Sequence, residues 1–362
     1  MAVILNIFYF VAILGILVFI HELGHLLAAK AFGVYCKEFA IGMGPKVFSI
    51  KKDHWETTYS IRLLPLGGFV SMAGEPGEGD MGVPFERTIS GIKPVKRLVV
   101  MIAGVTMNLI LAVILFFGLT YSVGVVELPA PIIDTVIADT PADKAGLIAD
   151  DEIVEMIFFD GSSMKPKDFN QVTQGITTYG NRPLTLKVLR SGERLELELT
   201  PEKDGDRYVI GVYPVQGELR KVGFLEAIPI AFAQVWEVIA ALGFLLARLF
   251  RGVGTEAVGG PIKIFEVTSE VSVYGWTYFV SLLANLSVNL AVINMIPIPV
   301  MDGGRSVLII IEMIIGRPLP EKFENGIMLV GLFLMLLLFV FIMGKDIVGL
   351  FNFIKLGTPG TL

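Results

Sequence analysis

His21, Glu22 and His25 stand together near the start of the chain as His-Glu-x-x-His. Residues four apart on a helix project from one face, so both imidazoles can reach a single metal ion. The glutamate between them is placed to take a proton from a metal-bound water. Two zinc ligands with a general base beside them is the pattern of a metalloprotease. So short a motif also arises by chance. Here, however, it ends an apolar run from Val3 to Ile20 in which Asn6 is the one strongly polar residue. Ionisable groups at the end of such a run are costly and usually functional.

Two histidines leave a catalytic zinc one protein ligand short, because such sites hold three with water in the fourth position. The third histidine, His54, lies in a polar stretch without metal spacing and reads as a surface residue. Asp302 is the better candidate. It closes the segment Asn294-Met295-Ile296-Pro297-Ile298-Pro299-Val300-Met301-Asp302-Gly303-Gly304, in which two prolines break the helix. The alternative for Asp302 is a helix-end aspartate in a turn.

The elements that position these residues are membrane spans. The 362 residues are 54% hydrophobic and only 18% charged, with a mean hydropathy of +0.70, against about 25% charge in soluble domains. A net charge of −6 without a basic block excludes a nucleic-acid partner. The lone cysteine, Cys36, excludes an internal disulfide. The first apolar run lacks a basic leader and a small-residue cleavage site, so it is expected to stay in the mature protein. Crossing the bilayer takes roughly 20 apolar residues, necessarily helical. Four runs qualify: Val3 to Ile20, Leu98 to Thr120, Tyr278 to Met295 and Ile327 to Met343. The stretch from Phe224 to Phe250 carries Glu226, Pro229, Gln234, Glu237 and Arg248, and reads equally as a helix lying along the surface.

Between the second run and this stretch, from about Val126 to Val215, acids dominate and apolar residues fall in short runs separated by turn signals. That is a small β-rich soluble insert. The expected organisation is a first membrane core over residues 1–125, the insert over 126–215, an interfacial linker over 216–272 and a second membrane core over 273–362. Lysines and arginines crowd the segment between the first two spans (Lys30, Lys37, Lys46, Lys51, Lys52, Arg62, Lys93, Lys96, Arg97). The positive-inside rule makes that segment cytoplasmic, with the N-terminus and the acidic insert outside. With four spans, His21, His25 and Asp302 then share the cytoplasmic side; a fifth crossing by Phe224 to Phe250 alone would separate them.

Taken together these residues resemble the site-2 protease family of intramembrane zinc metalloproteases. The bacterial branch that cleaves anti-sigma factors and carries one extracytoplasmic PDZ domain is the nearest in pattern. The resemblance covers nearly the whole chain and implies a polytopic α-helical membrane protein with a membrane-associated β-hairpin and a PDZ-like insert. It implies Zn²⁺ held by His21, His25 and Asp302, with Glu22 activating water and Asn294 donating to substrate backbone or the developing oxyanion. Pro65-Leu66-Gly67-Gly68-Phe69-Val70 resembles the hairpin segment that pairs with extended substrate, so Gly67, Gly68, Phe69 and Val70 are expected substrate contacts. Ala103-Gly104-Val105-x-x-Asn108 matches the opening of the second core helix; Gly104 reads as helix packing, and Asn108 as a substrate contact or an interhelical hydrogen bond. Gly259-Gly260-Pro261-Ile262 resembles the segment before the third core helix. The insert matches through Thr140-Pro141-Ala142-x-x-Ala145-Gly146-Leu147 and Asp160-Gly161, but has Asp150-Asp151 where the family usually has Gly-Asp. Met301 replaces a more usual leucine. Expected partners are the lipid bilayer and transmembrane substrates such as anti-sigma factors or remnant signal peptides, with the insert contacting substrate or acting as a size filter in a bacterial inner membrane. Two rivals are a catalytically inactive membrane scaffold of the same architecture and a transporter, the latter without a visible inverted repeat.

Overall fold

The computed structural model describes residues 2–75, 79, 81–127, 129–204, 207–250, 260–269 and 271–356. Gly259 and the tail 357–362 lie outside the described residues. The chain divides into two compact units, one of residues 1–122 and 223–362, the other Val123–Val222.

In the first unit α1 (Ala2–Ala31) runs without a break through the His-Glu-x-x-His segment. A two-stranded element follows, β1 (Cys36–Ile50) and β2 (Thr58–Met72), antiparallel overall. Both strands bend near their middles, so the first half of β1 has neighbours on two sides. Phe39 pairs with Tyr59 and with Val70, and Ala40 with Ser60 and with Phe69. The pairs from Glu38–Thr58 to Ile41–Ile61 advance together, a locally parallel run within the hairpin. The last residues of β2, 68–72, therefore form an edge: β1 pairs with one side, and no other strand joins the sheet among the described residues. The bent arm exposes Met43, Val47, Phe48, Ile50, Ile61 and Leu63, an apolar surface suited to lipid.

A single 3₁₀ turn (Phe85–Arg87) leads to α2 (Pro94–Val123). Val123 and the residues after it up to Val222 belong to the second unit. There β3 (Val125–Glu127), β4 (Ile133–Val136), α3 (Pro141–Lys144), β5 (Glu152–Phe158), β6 (Ser163–Met164), α4 (Phe169–Tyr179), β7 (Leu184–Arg190), β8 (Glu193–Leu199), β9 (Glu202–Asp204), β10 (Arg207–Val209), β11 (Val212–Pro214) and β12 (Glu218–Arg220) surround one apolar core. A four-stranded antiparallel sheet in the order β6-β5-β7-β8 carries Ile153, Met156, Leu186 and Val188 into that core.

Asp150 in this unit has a φ of 66°, the left-handed region in which glycine is usual and aspartate is tolerated. Asp151 beside it is fully buried. Its Oδ1 accepts from Arg190 Nε at 2.7 Å, and its Oδ2 from Arg190 Nη2 at 2.7 Å and Ile148 N at 3.0 Å. Burial pushes the Asp151 pKa up, but the bonds from Arg190 and Ile148 outweigh it and hold the carboxyl below the usual range. A carboxyl depressed in the folded state stabilises above its unfolded pKa of about 3.9 and loses that contribution as pH falls through the folded value. Replacing Arg190 by methionine is expected to cost roughly 1.5–3 kcal/mol at pH 7. Hydrogen exchange at the β5 amides measures this, and the gap between variant and native protein should narrow as pH drops below about 4.

Returning to the first unit, α5 (Phe224–Phe250) precedes α6 (Pro261–Ser269), α7 (Val271–Tyr274), α8 (Trp276–Met295), α9 (Asp302–Ile315) and α10 (Glu321–Leu356). Among the described residues five helices are long and apolar enough to cross a membrane: α1, α2, α5, α8 and α10. A count of four spans is therefore not fixed by helix length, because α5 joins the set. Its Pro229 sits near the start, where few hydrogen bonds are lost, and Ala231 and Val235 bury against Ala112 and Phe116 of α2 and Ala284 and Val288 of α8. Gln234, one of its polar residues, accepts from Thr120 Oγ1 at 3.2 Å.

Helix directions follow from side-chain pairing. Tyr9 packs on Phe279, and Ile13 and Leu17 on Leu283, so α1 and α8 run the same way. On α2 the order reverses, Asn108 facing His21 and Val100 facing His25, so α2 runs antiparallel to α1, and Ser287 Oγ of α8 donates to the Asn108 carbonyl at 2.8 Å. Phe224 meets Phe117 and Tyr121 near the end of α2, the same bundle end at which α8 begins. Both α5 and α8 begin at this end, and because α8 runs the same way as α1, Asp302 after it reaches the level of the histidines.

Candidate metal centre

His21 and His25 lie one turn apart on the face of α1 turned to α2, both buried. Asp302 is the first residue of α9 rather than part of an irregular segment. The break between α8 and α9 is made by tight turns at residues 296–301, where Ile298 N donates to Ile296 O at 2.7 Å and Met301 N to Ile298 O at 2.8 Å. Gly303 and Gly304 let α9 begin directly against this backbone. A Cβ at either would fall 2.2 Å from Met295 O or 2.1 Å from Ile298 O, closer than any side chain allows.

The result is a convergence of three donor atoms. Asp302 Oδ2 lies 3.1 Å from His21 Nε2 and 3.3 Å from His25 Nε2, and the two Nε2 atoms are 3.3 Å apart. A tetrahedral zinc with N and O ligands at about 2.0–2.1 Å requires ligand atoms about 3.3 Å from one another. Asp302 Oδ2 is buried and makes no well-formed hydrogen bond despite these short distances. Two imidazoles and a carboxylate so arranged fit a zinc ion better than they fit one another.

The cavity in front of the cluster is lined by His21, Glu22, His25, Asp302 and Arg305, and by Gly68, Phe69 and Val70 of the β2 edge. Glu22 is on this wall, next to the strand: a Cβ on Gly68 would lie 3.0 Å from Glu22 Cγ. Phe69 packs under the Arg62 guanidinium, 4.8 Å from ring centroid to Cζ, while Val70 turns its side chain into the core with Leu26 and Phe39. Val70 thus offers the cavity mainly backbone. Gly67 is not on the wall; its positive φ of 72° shapes the bend before the edge, against Met43. Asn294 Nδ2 is 3.2 Å from His21 Nε2, beside the donor cluster.

Of its two readings, substrate contact or interhelical hydrogen bond, Asn108 takes the position of the second. It is completely buried behind the His21 ring, with Nδ2 3.3 Å from Nδ1, out of reach of anything in the cavity. Gly104, which read as packing, is part of the centre: its Cα lies where a Cβ would meet His25 Nε2 at 2.4 Å. The carbonyl of Val100 accepts from His25 Nδ1 at 2.8 Å. Arg305 and Glu75 form an ion pair across the cavity that sequence reasoning missed. Arg305 could have been suspected from its place one helical turn after Asp302. Glu75 had no such signal.

Over residues 9–338 the chain matches the model of Peptidase family M50, and it belongs to that family, the site-2 proteases. It is 33% identical to a Clostridium perfringens protein named "Putative zinc metalloprotease", over 92% of this chain and 95% of the relative. A Fusobacterium nucleatum protein of the same description is 34% identical over 94% and 98%. A Staphylococcus aureus protein, again so described, is 28% identical over 96% and 99%. Family membership and the apolar helices together make this a multi-pass membrane metalloprotease.

Proposed function

We propose that this protein is an intramembrane zinc endopeptidase that hydrolyses peptide bonds within the transmembrane segments of single-span proteins. One observation carries the reading: His21 Nε2, His25 Nε2 and Asp302 Oδ2 converge at 3.1–3.3 Å on a cavity walled by Glu22, inside a bundle of apolar helices. Those three residues would hold the zinc. When bound, the ion polarises a carbonyl and lowers the pKa of its water to about 7. Glu22 takes the proton of the attacking water and passes it to the leaving amine. The Asn294 amide, beside the same cluster, is placed to donate to the substrate carbonyl oxygen as negative charge develops there.

A helical substrate has its carbonyls hydrogen-bonded internally and must unwind before attack. Residues 68–72 offer an unpaired strand edge along the cavity, and main-chain pairing with it would hold the unwound segment extended. Lys30 follows His25 on α1, and Lys93, Lys96 and Arg97 cluster at the adjacent start of α2, which favours a cytoplasmic position for this end of the bundle. The N-terminus and the β-rich unit are then extracytoplasmic, where the latter, PDZ-like in its motifs, would contact substrate or restrict its size. Anti-sigma factors and remnant signal peptides in a bacterial inner membrane are the substrate classes this geometry suits, with α5 packed along the bundle and four helices crossing fully.

The test is cleavage of a tagged single-span substrate by the detergent-purified protein, before and after chelation. Activity should vanish with the chelator and return with added zinc. Cleavage that persists through complete removal of metal would refute the reading.

A further inference from the structure

The α2 helix presents Val100, Gly104 and Asn108, four residues apart, to the two histidines, and each does something different. The Val100 carbonyl can only accept, so His25 Nδ1 carries a hydrogen and the Nε2 of the neutral ring points its lone pair at the donor cluster. His21 is constrained from the other side: its Nε2 faces Asn294 Nδ2 at 3.2 Å, which can only donate, and so must be bare. Its Nδ1 faces the Asn108 carboxamide, a group that donates from one end and accepts at the other.

With Nδ2 toward the ring, as found, Asn108 donates and Nδ1 must be bare. That would leave a neutral His21 with no nitrogen for its hydrogen, because Nε2 already meets the Asn294 donor. Turned by half a revolution about Cβ–Cγ, the amide presents Oδ1, which accepts from an Nδ1–H and leaves Nε2 bare for a metal. Asn108 has room for either state. It is 0% exposed, and as found its Oδ1 has no hydrogen-bond partner among the described residues. Each orientation leaves one amide atom of Asn108 unpaired, and only the accepting one agrees with the Asn294 donor at His21 Nε2. Its backbone is fixed in both, because the Asn108 carbonyl accepts from Ser287 Oγ.

We propose that Asn108 is a positioning residue whose carboxamide accepts from His21 Nδ1–H and so holds Nε2 bare for zinc. This rests on the zinc-protease reading for its metal but not for its measurement. Asn108 touches no substrate; it acts through His21 alone. Partners of this kind typically change metal affinity by about 10–100-fold when removed.

The experiment uses the full-length protein in detergent and has two readouts. Zinc affinity is measured by competition with a chromophoric chelator for the native protein, Asn108→Leu and Asn108→Asp. Asn108→Leu, similar in volume but unable to accept, should bind about 10–100-fold more weakly. Asn108→Asp, an acceptor at both atoms, should stay within a few-fold of native. Equal affinity in the leucine variant, or equal loss in both variants with the helices intact, overturns the proposal. The second readout needs no variant, since the chain has 3 histidines and ¹⁵N-histidine spectra resolve their tautomers. His21 should carry its hydrogen on Nδ1 in the zinc-loaded native protein. A loaded His21 with its hydrogen on Nε2 and zinc on Nδ1 overturns the proposal. A native protein that binds zinc with the expected tautomers but cleaves nothing would sink the protease reading and leave this one standing.

Discussion

Replacing Glu22 by glutamine leaves zinc bound and lowers peptide cleavage by about 10²–10⁴-fold, the range over which a positioned acid–base group contributes. At 1.36 kcal/mol per tenfold that is roughly 2.7–5.4 kcal/mol of barrier. Glutamine keeps the shape of the side chain that lines the cavity beside Gly68, so neither the β2 edge nor the cavity wall has reason to move. It also leaves untouched the three atoms that converge on the metal, none of which belongs to Glu22. What it removes is the ability to take a proton from water. Metal content by atomic absorption and single-turnover cleavage by the same preparation separate the two effects. A variant that cleaves within a few-fold of native while holding zinc would assign the base elsewhere and return Glu22 to a structural role.

The contrast between Glu22 and its supporting residues shows what a sequence can disclose. His21, Glu22 and His25 are legible because their relation is local: the helical repeat alone places them on one face. Asp302 is legible from the prolines that must interrupt the helix before it. Its position as the first residue of a new helix is not, because that depends on Gly303 and Gly304 meeting backbone carbonyls six to eight residues back in chain and adjacent in space. Asn108 could be read as polar and intramembrane, hence worth attention. Its partner, an imidazole 87 positions away, was fixed only by the antiparallel alignment of α1 and α2. The hairpin was visible at Pro65 to Val70, but its doubled pairing came from mid-strand bends that no period-2 pattern encodes. For α5 the polar residues misled. Gln234 is absorbed by Thr120, and the small residues Ala231 and Ala227 let the helix pack closely, so charge and proline content understated its fit to the bundle.

A methyl group at Gly104 should cost the protein its metal while lowering the stability of its fold only slightly. Gly104→Ala puts a Cβ 2.4 Å from His25 Nε2, 2.8 Å from His21 Cε1 and 2.9 Å from His25 Cε1. Contacts this short demand that something move. The His25 ring cannot swing aside without giving up the Nδ1 hydrogen bond to Val100, and His21 is backed by Asn108. The backbone is no freer, since α1 meets α2 directly at this level: a Cβ on Gly24 would fall 2.4 Å from Ala103 O. The remaining response is to part the helices or to tilt both imidazoles, and either spreads the donors beyond the separation a single zinc can bridge. Misplacement of this size costs on the order of 10²-fold in rate, and here affinity for the ion falls with it. Alanine is meanwhile the better helix former by about 1 kcal/mol, which offsets part of the roughly 1–3 kcal/mol that overpacking costs, so thermal unfolding of the metal-free variant should fall only slightly below that of metal-free native protein. That pairing of outcomes distinguishes a blocked site from a damaged fold. If Gly104→Ala binds zinc with native affinity, the two histidines have freedom the geometry denies them, and the assignment of this glycine to the metal centre fails.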